Sequence, residues 1–212
     1  MRELKNKLTV GKNTKNTRGR KGKMFGYQVL GFGSGGGASF IEATGGTVTE
    51  DGVYKVHTFT SDGTFEITGG EGQVDYLVVA GGGSGGSADG NFSASGGGAG
   101  GLRLSSETYT PTPLSVGTGL TLGAASYPVT VGGGGSNSVF SSITSTAGGA
   151  GGFPSVNAGG SGAGGAACGS STGAAGNTPP VSPAQGTPGG DGACVPNAAC
   201  PGGGGGAADP GS

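Results

Sequence analysis

This sequence predicts an all-β fold, an antiparallel β-sandwich-like domain joined to a glycine-rich bundle of polyglycine II helices (left-handed and extended), with essentially no α-helix. Three observations carry the prediction. Glycine supplies 56 of the 212 residues, and each glycine costs a helix about 1 kcal/mol relative to alanine. No stretch spaces its apolar side chains at i, i+3, i+4 and i+7 for the length of a helix. The bulky apolar residues gather between Phe25 and Phe153, interleaved with Thr, Ser and Gly, which is enough for one modest β core and leaves little after it.

The first candidate element spans residues 25–39, FGYQVLGFGSGGGAS, which read as a short strand and a glycine-rich connector. Residues 47–49 precede Glu50-Asp51-Gly52, a turn signal, and in the next run, 53–59, Tyr54, Val56 and Thr58 share one face while Val53 and Phe59 share the other. Ser61-Asp62-Gly63 separates that run from residues 64–68, where Phe65 and Ile67 point one way, so a hairpin is expected. Residues 74–79, VDYLVV, are apolar on both faces and read as a central strand. Shorter β candidates at 102–104, 114–116, 120–122, 127–131 and 138–145, punctuated by Pro, Gly and Ser, complete the sandwich.

The central run ends in glycines spaced as G-x-G-x-x-G at Gly81, Gly83 and Gly86. A dinucleotide fingerprint needs a helix next, whose N-terminal amides hold the pyrophosphate. The residues after Gly86 are SADGNFSASGGGAGG, which cannot form one. A flexible linker is one reading of such segments. The other is a bundle of extended helices with three residues per turn, in which each amide must find its partner on a neighbour. Glycine is then required because side chains would hold the helices apart. The expected organisation is a basic arm at 1–23, a β-rich domain at 24–146 with a glycine-rich insertion at 81–101, and a polyglycine II segment at 147–212.

Charge is segregated. In residues 1–23 nine bases against Glu3 give +8, and in the rest two bases against 11 acids give -9. Such an arm suits an acidic partner surface or nucleic acid, and it also suits a solvated tail or a start site misplaced upstream of Met24. No secretory or membrane-spanning run is visible, so no membrane insertion is expected.

The three cysteines, Cys168, Cys194 and Cys200, allow one intrachain disulfide, with Cys194 and Cys200 nearest in sequence. With His57 as the lone histidine, no zinc set forms, and no acidic cluster suits calcium. His57 reads as a surface or packed strand residue, Asp75 as structural, and Glu50, Asp51 and Asp62 as turn residues. Neither a catalytic constellation nor a cofactor is expected.

Whole blocks of the chain, among them MFGYQVLGFGSGG, GGTVTEDGVYKVHTFTSDGTFEITGG, VDYLVVAGGGSGG, YPVTVGGGGSNSVFSSITSTAGGAGG and GNTPPVSPAQG, resemble the glycine-rich virion proteins of tailed bacteriophages, especially marine ones. These resemble in turn the adhesins at tail-fibre tips. The resemblance covers about residues 24–192.

It implies a non-enzymatic virion protein, a tail fibre or adhesin tip, assembled in the host cytoplasm and acting outside the cell on a bacterial receptor, a glycan or outer-membrane protein. Other virion proteins would be partners, as a trimer or higher homo-oligomer, and nucleic acid would not. Receptor contact then belongs to loops joining the glycine helices, here Asp89, Asn91 and Phe92 in one and Phe153, Val156 and Asn157 in another. Phe92 and Phe153 have an alternative role as caps packed on the bundle. Lys12, Lys15, Arg18, Arg20 and Lys21 would dock the chain on the virion. A head fibre or capsid decoration is the alternative placement, and a secreted ice-binding protein a third class.

Overall fold

The computed structural model describes residues 41–87, 94–106, 113–168, 172–195 and 198–212, all within the unit Ile41–Ser212. Among them there is no helix; every strand pair is antiparallel. Residues 25–39, expected to hold a first strand, lie outside the described residues.

A five-stranded sheet runs in the order β1 (Glu42–Thr44), β4 (Gly63–Val74), β7 (Leu120–Thr130), β8 (Ser138–Phe140) and β9 (Ile143–Ser145). Its core is Phe65, Ile67 and Leu122, ringed by partly buried residues that include Ile41, Phe59, Tyr127, Val129 and Phe140. Phe65 and Ile67 sit on one face because strand side chains alternate, and Phe140 meets the Phe65 ring edge-on at 5.8 Å. A register shift between Ile67 and Glu71 contains Gly70 at φ +82°, a conformation that favours glycine. The shift carries the inward side from Phe65 and Ile67 to Val74 on β4, and from Tyr127 and Val129 to Leu120 and Leu122 on β7.

Expectation and structure differ in several places. The candidates at 120–122 and 127–131 belong to one strand, β7, and residues 138–145 fold back as the β8–β9 hairpin. Residues 114–116 form no strand. The run at 74–79 is not a central strand: β4 ends at Val74, and β5 (Leu77–Val79) pairs only with β6 (Leu102–Leu104). Tyr76, Val78 and Ala80 are buried, whereas Leu77 and Val79 stay 63% and 52% exposed. An apolar run read without its partners cannot distinguish two buried faces from one.

The β2 (Thr47–Asp51) and β3 (Tyr54–Thr58) ribbon turns on Gly52 and Val53, with Gly52 at φ +61° as a two-residue hairpin requires. The turn therefore falls one residue later than Glu50-Asp51-Gly52 suggests. His57 is the ribbon's tie to the core. Its ring packs edge-on against Phe65 at 5.0 Å, and Nδ1–H donates to Gly45 O at 2.8 Å.

Beyond the strands the chain forms extended threads joined by backbone hydrogen bonds. The first thread (80–86) donates to the antiparallel second (95–101) from Ala80, Gly83 and Gly86 to Gly101, Gly98 and Ser95, at 2.8 to 3.0 Å. The third (146–152) donates to the first from Gly148 and Gly151, to Gly81 and Ser84. A short fourth thread (157–160) turns back into a fifth (161–167), and the chain continues through a sixth (173–177), seventh (185–192), eighth (202–206) and ninth (209–212).

The same step recurs throughout. Thr187 and Gly190 donate to Gly206 and Gly203, and Gly202 and Gly205 donate to Gly165 and Gly162. Partners advance by three residues on both chains in each of these rows, so each thread presents a row of amides to more than one neighbour, and the backbone satisfies itself between threads.

The glycines are sterically required where threads touch. A Cβ on Gly83 would run into Gly149 O, one on Gly98 into Ser161 O and one on Gly164 into Gly202 O. Yet the interior is not backbone alone: Ala163, Ala166, Ala167, Ser161 and Gln185 have fully buried side chains. Gln185 ties the seventh thread to the start of the third. Its Oε1 accepts from Thr146 N–H at 2.8 Å, and its Nε2 donates to Thr146 Oγ1 and Pro179 O, both at 3.2 Å.

Candidate functional site

The hydrogen-bond rows fix which thread ends lie together. Near the sheet, where β5, β6 and β9 lead into or out of the array, Ala80 bonds to Gly101 and Gly101 to Thr146. At the far ends, Gly86 N–H donates to Ser95 O at 2.9 Å, and Ser95 Oγ accepts from Gly152 N–H at 3.1 Å. Gly164 donates to Gly96, Gly96 to Gly202, and Gly165 to Gly190, so the other threads reach the same level.

The described ends of four connections, 87–94, 153–156, 168–172 and 193–201, therefore lie at the end of the array opposite the sheet.

The second loop marked in the sequence is on this end. Phe153 is at the margin of exposure at 36%, Val156 is half-buried and Asn157 is exposed. Asn157 is also held by the array, its N–H donating to Ala150 O at 3.0 Å and its carbonyl accepting from Ala163 N–H at 3.2 Å. Asp89, Asn91 and Phe92 lie outside the described residues, as do Lys12, Lys15, Arg18, Arg20 and Lys21. The stems of the first loop, Gly86 and Ser95, meet the stem of the second at Gly152.

Sequence reasoning missed how the last two connections are joined. The disulfide links Cys168 to Cys194, and Cys200 is an exposed free thiol. Cys194 and Cys200, nearest in sequence, do not bond. In the hairpin of β10 (Ala193–Val195) and β11 (Ala198–Cys200), Cys194 faces Ala199 and Cys200 faces Ala193, which puts the two thiols on opposite sides of the ribbon. Asp191 anchors the same corner by accepting from Gly173 N–H at 2.8 Å. Val195, 48% exposed, adds an apolar side chain to this end; only the odd cysteine count hinted at the bridge.

Elsewhere Asp75 and Asp62 each hold a neighbouring segment in place. Asp75 Oδ1 accepts from Ser105 Oγ at 2.9 Å, and that hydroxyl accepts from Tyr76 N–H, which secures the start of β5. Asp62 Oδ1 accepts from Val131 N–H at 2.8 Å. Among the described residues no three His, Cys, Asp or Glu side chains gather as a metal site would need, and no helix is long and apolar enough to cross a membrane.

An antiparallel β sheet carrying a hydrogen-bonded array of glycine threads, with loops collected at its far end, defines a glycine-rich all-β protein. Its sequence matches the family model of the glycine-rich domain over residues 57–212, and the chain belongs to that family. The matched region holds all of β4 to β11 and every thread, so four of the five strands of the sheet and the whole array lie within the family's domain. No curated protein and no solved structure matches the chain.

Proposed function

We propose that the array is a polyglycine II bundle, and that the protein is a phage virion component, a tail fibre or adhesin tip, which attaches the particle to a bacterial surface without catalysis. The three-residue step of the hydrogen-bond rows supports the first part, because a left-handed extended helix repeats every three residues. One observation carries the second: the described ends of four connections, including those of both loops marked in the sequence, lie at one end of the array, away from the sheet. Loops on a rigid support lose little freedom on binding, which favours recognition. In this reading Phe153, Val156 and Val195, with the loop of Asp89, Asn91 and Phe92, meet a receptor glycan or outer-membrane protein. The basic arm with Lys12, Lys15, Arg18, Arg20 and Lys21 docks on neighbouring virion proteins.

Purified protein incubated with host cells tests the reading. It should bind, and compete with virions for adsorption, whereas a Phe153→Ala, Val195→Ser variant with an unchanged melting temperature should bind more weakly. Absence of cell binding, together with immunogold labelling of the capsid and not the tail, would reject attachment in favour of a head decoration.

A further inference from the structure

One flank of the array is left open. A groove of about 700 Å³ is lined by residues 82–84, 134–135, 146–150 and 157–159 with Thr178. Its walls are mostly backbone, with no charged or aromatic side chain among the lining residues. Within this lining the N–H groups of Gly82, Ser84, Ala150 and Ala158, and the carbonyls of Gly148 and Ala158, have no hydrogen-bond partner among the described residues.

Two of these groups continue rows that are paired elsewhere. Ser84 stands one three-residue step after Gly81, whose N–H donates to Ser136 O at 3.0 Å. Ala150 follows Ala147 on the third thread in the same way, and the Ala147 N–H donates to Asn137 Oδ1 at 2.8 Å. The carbonyl of Gly82 accepts from Gly135 N–H at 2.8 Å. At one end of the groove, a side-chain amide and a loop amide thus supply what a neighbouring thread supplies in the interior. Beyond them the rows run on with no partner among the described residues.

We propose that the groove takes one more thread: an extended, glycine-rich polypeptide held through its backbone in the three-residue register of the array. The lining carries unpartnered backbone donors on three threads together with an unpartnered carbonyl at Ala158, and only another backbone offers both kinds at a matching repeat. A sugar would find no ring to stack on, and an anion no charge. The incoming chain must be rich in glycine for the reason that applies at Gly83, Gly148 and Gly149, where a Cβ would overlap the backbone of a neighbour. This inference rests on the array itself and stands apart from the proposed attachment role.

The test uses the full chain and a capped heptapeptide, Gly-Gly-Gly-Gly-Gly-Ala-Ala, which copies residues 202–208. Maltoheptaose is the comparison probe, and amide hydrogen exchange is the readout. The peptide should slow exchange at Gly82, Ser84, Ala150 and Ala158 by about tenfold or more. Ala150→Phe, with a ring filling the groove, should weaken peptide binding by about tenfold or more while Gly83, Gly98 and Gly162 stay protected. Ala158→Trp, at an exposed residue of the lining, serves if the first variant does not fold. Self-association of the wild type that Ala150→Phe removes would equally support the proposal, with a second copy supplying the thread. No change at millimolar peptide, or a change produced by maltoheptaose instead, would overturn it.

Discussion

Gly98→Ala tests whether the threads are held together by backbone contact. Gly98 is buried; its N–H donates to Gly149 O at 2.8 Å, and its carbonyl accepts from Gly83 N–H at 2.8 Å. An added Cβ would lie 2.7 Å from Ser161 C and 2.9 Å from Gly162 O, with Ser161 O closer still. All three are backbone atoms, so no side chain can rotate away. Overpacking costs about 1–3 kcal/mol, and each buried backbone hydrogen bond lost costs about 1–3 kcal/mol. The reduced freedom of the unfolded chain returns about 0.4–1 kcal/mol.

The net loss is about 2–4 kcal/mol, which for a chain of this size lowers Tm by about 5–15 °C. Gly134→Ala is the matched control: its Cβ would have Gly82 O at 3.8 Å as its nearest neighbour, so its effect should stay within about 0.5 kcal/mol. Calorimetric melts of the two variants check this. Equal Tm values would refute the claim that inter-thread contact, and not chain flexibility, is what requires glycine here.

Gln185→Leu should destabilise by about 1–3 kcal/mol, because it leaves the Thr146 N–H without its partner; urea unfolding measures this, and a change under about 0.5 kcal/mol would mean the amide is replaceable. Phe65→Ala should cost about 3–5 kcal/mol, read by the same method, since it removes the ring that His57 and Phe140 meet. Alkylation of the folded protein without reductant should label Cys200 alone, and Cys168→Ser should cost about 3 kcal/mol, given a sequence separation of 26. A linked peptide joining Cys194 to Cys200 would contradict the pairing described.

The β2–β3 ribbon was legible where alternation and a turn residue coincided at Gly52, but the hairpin expected across Asp62-Gly63 does not form: β3 pairs with β2, and β4 pairs with β1 and β7, which lie far away in sequence. Residues 74–79 were misread, because the burial of Val78 and exposure of Leu77 depend on which strand lies alongside, a tertiary fact. The requirement for glycine was readable from composition and from the missing helix after Gly86. The thread pairing was not, since glycine carries no side chain whose pattern could mark a register. Fully buried Ala163, Ser161 and Gln185 were invisible for a related reason: small or polar residues give no apolar signal. The far-end site was half legible. Phe153, Val156 and Asn157 stood out against a plain background, while Val195 and the Cys168–Cys194 bridge depend on two connections meeting in space.

The three-residue rows also bear on how the molecule tolerates change. Because the rows are written in main-chain atoms, the register does not depend on which side chains the connections carry, whereas the Cys168–Cys194 bridge ties the chain after Ala167 to the chain after Gly192.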